Sequence, residues 1–375
     1  MSYSIRDRMN AVYNGQTPDR VPYILDLSHY YYQKYKKPWI LLGSYAEPER
    51  GLIDFNRKFG AGFYVPNQIK LFDVYYDGDV KGDAWIEEVN GNPETHWRFE
   101  TPNGAIERIR MWQERSYSWP TKKYGVKTED DIRILADAMC ARRYIPLIDN
   151  YRAWDEYVGD GGIVNINFGL SAMGYFMHYW MGMENTLYAS YDFNETLHEA
   201  VDRINANNLE CIKMLMQYPG LVVIIGDNFS SDCQPPWFFE EWSASFYRQA
   251  ADIIHENGKK LSVHIDGKLR GAIGMIRDAG GDIIDAVTPA PMFDLTPIEC
   301  RDEAGDSLIL SGGVPPTLWL PGVPVERFEQ SVMEWLEIRK SSPALFAAAG
   351  DQVPPGADER RIDIMRRLVE EHGKY

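Results

Sequence analysis

Cysteine is scarce: Cys140, Cys211, Cys233 and Cys300 lie far apart with no C-x-x-C pair. That spacing offers neither a zinc knuckle nor a disulfide framework, and it fits reduced thiols in a cytoplasm. Positive charge is also short, with 39 Lys and Arg against 55 Asp and Glu and a formal net charge of −16. No basic run exceeds a pair such as Lys36-Lys37 or Arg360-Arg361, so nucleic acid and anionic membranes are poor partners. No stretch reaches the roughly 18 apolar residues of a membrane span. The polar opening MSYSIRDRMNAVYNGQTPDRVP lacks the apolar region of a signal peptide. A soluble, unexported, cytoplasmic protein is expected. There is no G-x-G-x-x-G, Walker or nucleophile-elbow pattern to support a nucleotide or serine-hydrolase reading.

What is present is core material, 45% hydrophobic and 13% aromatic residues in a chain of 375. From residue 160 onward short β-rich runs alternate with longer helical patterns, the signature of repeated βα units and a parallel sheet. Strands are expected at 21–27, 62–66, 162–167, 221–227, 261–266, 282–287, 307–311 and 345–350, with helices at 45–58, 194–216, 237–257, 324–339 and 358–372. Eight such units make a (β/α)8 TIM barrel, taken as a single domain over 1–375. Residues 70–127 break the rhythm with alternating runs and N-G turns. They read as antiparallel β-hairpins inserted after strand two.

In such a barrel the loops after the strands build the site, so polar residues at strand ends are the candidates. Asp26 ends strand one, Asn165 and Asn167 end strand three, and Asp227-Asn228 follow strand four. His264 and Asp266 close strand five, Asp285 lies in strand six, and Asp351 follows strand eight. Residues two apart on a strand share a face. His264 and Asp266 can therefore serve as metal ligands or as an acid/base pair, and a hydrogen-bonded loop clamp is equally open. A metal would need a third ligand, for which Asp351 and Asp227 are the obvious donors. His29, in Ser28-His-Tyr-Tyr-Tyr-Gln33, could line a pocket, though such aromatic runs more often form core or cover; Phe176-Met-His-Tyr-Trp-Met181 reads first as a buried helix, with a face toward a planar ligand as the lesser alternative. His96, His198, His255 and His372 are taken as surface or structural.

The opening Arg6 to Pro22, with Gly15-Gln-Thr-Pro-Asp-Arg-Val-Pro22, resembles the entry to strand one in the uroporphyrinogen decarboxylase superfamily. Gly226-Asp-Asn228, His264-Ile-Asp-Gly267, Gly312-Gly-Val314 and Gly350-Asp-Gln-Val-Pro-Pro355 resemble its later landmarks in order. The family also contains corrinoid-dependent methyltransferases. True uroporphyrinogen decarboxylases carry an arginine-rich segment after strand one, whereas residues 27–34 here read LSHYYYQK. The resemblance is therefore closer to the methyltransferase branch. That branch places zinc on an H-x-C pair at strand five and a cysteine after strand eight; both cysteine positions are aspartate here, Asp266 and Asp351.

The resemblance implies a methyltransferase moving a methyl group from a small O- or N-methylated substrate to a corrinoid carried by a partner protein, and the aromatic-rich loop after strand one would suit an aryl methyl ether. Zinc or another divalent metal would sit on His264, Asp266 and Asp351. Asp227, Asn228, His264 and Asp266 would be catalytic, and Asp26, His29 and Asn167 would bind substrate. The alternative is a uroporphyrinogen decarboxylase-like lyase using His/Asp acid–base chemistry without metal. A homodimer is compatible with either.

Overall fold

The computed structural model describes residues 3–37, 42, 47–64 and 69–375. The first helix, Ile5–Tyr13, is closed by a capping box in which Ser4 Oγ accepts from the Asp7 N–H and the Asp7 carboxylate accepts from the Ser4 N–H. Its apolar side, Met9, Val12 and Tyr13, packs on Ile24, Ile163, Val222, Ile283 and Ile309. Val222, Ile283 and Ile309 are the first residues of their strands. The helix therefore stoppers the N-terminal end of the sheet and leaves the C-terminal end for chemistry.

Six strands follow: β1 (Phe72–Tyr76), β2 (Lys81–Val89), β3 (Asn92–Thr101), β4 (Gly104–Met111), β5 (Thr121–Lys123) and β6 (Arg142–Pro146). β2 to β5 form a four-stranded antiparallel sheet in sequence order, and β1 pairs antiparallel with β6. The β2–β3 turn is Asn90-Gly91, both at positive φ (53° and 80°), which a two-residue type I′ hairpin requires. Because Phe72 pairs with Pro146, antiparallel pairing reaches past the expected limit at residue 127.

The later strands are β7 (Ile166–Gly169), β8 (Val222–Phe229), β9 (Lys260–Ile265), β10 (Ile283–Val287), β11 (Ile309–Val314) and β12 (Leu345–Ala349). They form one six-stranded parallel sheet in sequence order. Where strands one and two are expected, pairing is by single parallel bridges, Tyr23 to Ala347, Ile24 to Gly62 and Phe63 to Gly162. These carry the order from β12 toward the run entering β7, giving an α/β, TIM-barrel-like arrangement. The first segment is short for a chemical reason. Pro22 has no N–H for a ladder, and Asp26 turns the chain by accepting from the Ser28 N–H at 2.8 Å. Residues 65–66 of the expected second strand, and 45–46 of the helix expected before it, lie outside the described residues.

The helices Asn194–Leu215, Val325–Glu337 and Arg360–His372 stand where the apolar periodicity puts them. The expected 237–257 helix is two, Pro236–Trp242 and Ala244–Glu256. They break at Ser243, whose hydroxyl donates to Gln234 Oε1 at 2.6 Å. Among the described residues no helix is long and apolar enough to cross a membrane.

Gly162 holds the bridge to Phe63 only because it lacks a side chain: a Cβ there would stand 2.0 Å from the Phe63 carbonyl oxygen. Gly162→Ala is expected to cost about 1–3 kcal/mol as an overpacking substitution, read as a lower urea midpoint with an unchanged slope.

Candidate active site

Parallel register sets the centre of the site. Asp285 of β10 lies opposite His264 of β9, and the two side chains meet with His264 Nδ1 2.9 Å from Asp285 Oδ2. Asp285 is buried and His264 half-buried. The loop after β12 closes over them from the other side. Gly350 has no room for a Cβ, which would lie 2.4 Å from Thr288 Oγ1. The Val353 N–H donates to the Asp26 carbonyl at 3.0 Å. Asp351 is thereby held between the end of β10 and the segment that carries Asp26.

Burial depresses the pKa of His264, but the hydrogen bond and charge of Asp285, with Asp351 and Asp266 behind it, outweigh that and push it up to about 9. The imidazole is a cation at neutral pH, with Nδ1–H committed to Asp285 and Nε2–H left to donate. Desolvation pushes Asp26 up to about 6 against two hydrogen bonds from Ser28, and Asp351 and Asp285 add to the rise. Asp351 is raised by burial against the pull of His264, with Asp266 and Asp285 contributing. Tyr64, buried beside Asp285, Asp26 and Asp351, is held well above the usual phenol range by burial first and those charges second. The arrangement is one imidazolium in a nest of carboxyl groups, some of which give up protons reluctantly.

The other expected site residues divide. Asp266 belongs to the cluster electrostatically but is exposed. Asp227 is fully buried, with one carboxylate oxygen accepting from the Ser171 N–H at 2.8 Å and the other from the Tyr247 hydroxyl at 2.6 Å. A Cβ on Gly174 would come within 2.2 Å of the same carboxylate. Asp227 is thus positioned as a brace for the turn after β7. Asn228 is exposed at φ 45°. His29 Nε2 bonds to the Tyr117 carbonyl at 2.9 Å, tying the strand-one loop to the turn between β4 and β5. Asn167 Oδ1 accepts from the Gly169 N–H at 2.9 Å and shapes its own strand end.

The run 176–181, expected as an ordinary buried helix, belongs largely to a π-helical turn, Tyr175–Trp180, a form concentrated at functional sites. It presents a residue that sequence reasoning passed over. His178 is half-buried, its pKa lowered by burial against the pull of Asp227 and Asp266. The only local signal is the Ser171-Ala-Met-Gly174 step directly after a strand end.

Three donors, His264, Asp266 and Asp351, share this mouth. Even so, among the described residues no three His, Cys, Asp or Glu side chains are arranged to hold a metal ion. As placed, the set does not fit a divalent ion.

Residues 170–372, more than half the chain, match the family model described as uroporphyrinogen decarboxylase (URO-D). The chain belongs to that family. No curated protein matches its sequence. Among solved structures it is similar to a methyltransferase from Methanosarcina mazei, with TM-score 0.63 and 14% identity over 99% of each chain; at that identity the likeness speaks to fold. A looser likeness is to D-psicose 3-epimerase from Clostridium cellulolyticum, TM-score 0.33 and 12% identity over 65% of this chain and 82% of that one, too distant to bear on function.

A raised histidine pKa means that the His264–Asp285 pair stabilises the fold fully below the unfolded value of 6.5 and loses that contribution as pH rises through about 9. The contribution is at most about 3 kcal/mol. A urea-midpoint scan from pH 6 to 10 should fall across that window in the wild type and be flatter in Asp285→Asn.

Proposed function

We propose that the chain is a methyltransferase that takes a methyl group from a small O- or N-methylated substrate, such as an aryl methyl ether, and delivers it to a corrinoid on a partner protein. The observation that carries the reading is the His264–Asp285 hydrogen bond, which holds the imidazole pKa up to about 9, at the C-terminal ends of the strands of a URO-D family member. The corrinoid supplies a nucleophilic cobalt. The chain's task is to make the heteroatom leave. As the methyl C–O bond breaks, its electron pair stays on oxygen. The proton on His264 Nε2 passes to that oxygen, leaving a neutral alcohol or phenol and a neutral imidazole still oriented by Asp285. General acid catalysis of this kind is worth about 10²–10⁴ in rate. Asp26 and Asp351, with raised pKa values, are suited to restoring the proton from water.

The metal-assisted route implied by the resemblance would require His264, Asp266 and Asp351 to turn onto a common point. Metal analysis of wild type against Asp351→Ala decides it: one equivalent of zinc lost in the variant would put a Lewis acid in place of the proton.

Family membership favours a second reading, decarboxylation with His264 protonating carbon. The carboxyl-rich mouth and residues 27–34, without arginine, disfavour a poly-anionic porphyrinogen.

The test is to incubate the protein with cob(I)alamin and a panel of methoxyarenes and methylamines, following loss of the cobalt(I) absorbance and the demethylated product by mass spectrometry. Wild type should turn over at least one member, His264→Gln should be slower by about 100-fold or more, and the rate should fall above about pH 9. Carbon dioxide release from uroporphyrinogen without methyl transfer would replace this reading with the lyase.

A further inference from the structure

We propose that Arg108 and Arg110 form an oxyanion site, taking the carboxylate or phosphate group of a small molecule, between the antiparallel strands and the turn Tyr175–Trp180. It goes beyond the methyl-transfer reading and does not rest on it. Arg108, on β4, is 5% exposed. Its guanidinium lies 4.0 Å from the Trp97 ring centroid and 4.3 Å from that of Tyr179. Among the described residues its Nε and Nη1 have no hydrogen-bond partner, and the charged or ionisable neighbours acting on it are Arg110 and two tyrosines. Arg110, two residues along the same strand face, stands 5.7 Å from the Tyr179 ring, and its Nε is also without a partner. Arg142, on β6, lies 5.9 Å from the Tyr175 ring. Its Nη1 bonds the Met139 sulfur at 3.5 Å and its guanidinium hydrogen-bonds Tyr175, so it borders the site without joining it. The Tyr175 and Tyr179 rings lie 6.0 Å apart, so Tyr179 faces Arg108 and Arg110 while Tyr175 faces Arg142.

Several arginines elsewhere are matched, although the Nε of Arg20, Arg301 and Arg361 is likewise without a hydrogen-bond partner among the described residues. Arg6 pairs with Asp155, Arg203 with Asp137 and Arg248 with Glu240, and buried Arg301 and Arg361 donate to backbone carbonyls. In a chain of net charge −16, two neighbouring guanidiniums without a paired carboxylate stand out. Ring stacking offsets part of the desolvation cost but leaves in-plane N–H donors unfilled. A planar fork of donors is what a carboxylate or phosphate satisfies. Arg110, Arg142, Tyr175 and Tyr179 are half-buried, giving the anion a side from which to enter.

The test is isothermal titration of the full-length protein with sodium benzoate and with inorganic phosphate, each against sodium chloride at equal ionic strength. Binding of either is expected, and which one binds identifies the source of the oxyanion. Arg110→Gln should weaken it about tenfold or more, Arg108→Met, which keeps the ring packing, likewise, and the surface variant Arg133→Gln should bind as wild type. Should Arg108→Met fail to fold, Arg110→Gln decides alone. Absence of binding beyond the chloride control, or unchanged affinity in Arg110→Gln, overturns the proposal.

Discussion

Burying a histidine among aspartates is tolerable only when one of them is close enough to share its proton, and the register between β9 and β10 supplies that partner. With Asp285 opposite His264, the imidazole becomes a cation and offsets part of the repulsion among Asp26, Asp285 and Asp351. A one-residue slip of that register would turn one partner to the opposite face. It would leave His264 desolvated and the carboxyl groups uncompensated. Much of what surrounds the pair serves to hold this geometry: the stoppered N-terminal end, the narrow Gly350 step, and the backbone bond from Val353 to Asp26.

A second layer of support runs through Asp227. Its two oxygens hold the Ser171 amide and the Tyr247 hydroxyl, fixing the start of the π-helical turn whose other residues face in different chemical directions. His178 looks toward Asp227 and Asp266, while Tyr175 and Tyr179 look toward the arginines of the antiparallel strands. One irregular turn thus stands between an acidic centre and a basic cluster. A regular helix of 3.6 residues per turn would distribute those side chains differently.

Membership of the URO-D family and the likeness in fold to a methyltransferase leave the reaction to be argued from the site. Both readings use the same protonated imidazole and differ in whether the proton goes to a departing heteroatom or to carbon. The carboxyl-rich mouth separates them, because it repels a substrate defined by many negative charges and accepts a neutral or cationic one.

The sequence by itself determined the class of fold and the places of most elements. Apolar runs such as 221–227 and 345–350 and the periodicity of 194–216 read through because burial on both faces of a strand, or along one stripe of a helix, is local information. Strand-end polarity likewise marked His264, Asp26 and Asp351. Tertiary structure alone decided which residues meet. The partner of His264 is Asp285, twenty-one positions away, because register is a property of two strands together. Asp227 became a brace because Tyr247 and Ser171 arrive from other elements. Antiparallel pairing reached residue 146 because β1 found β6. His178 and the arginine cluster stayed hidden for the same reason: burial, charge and missing partners arise from residues distant in the chain.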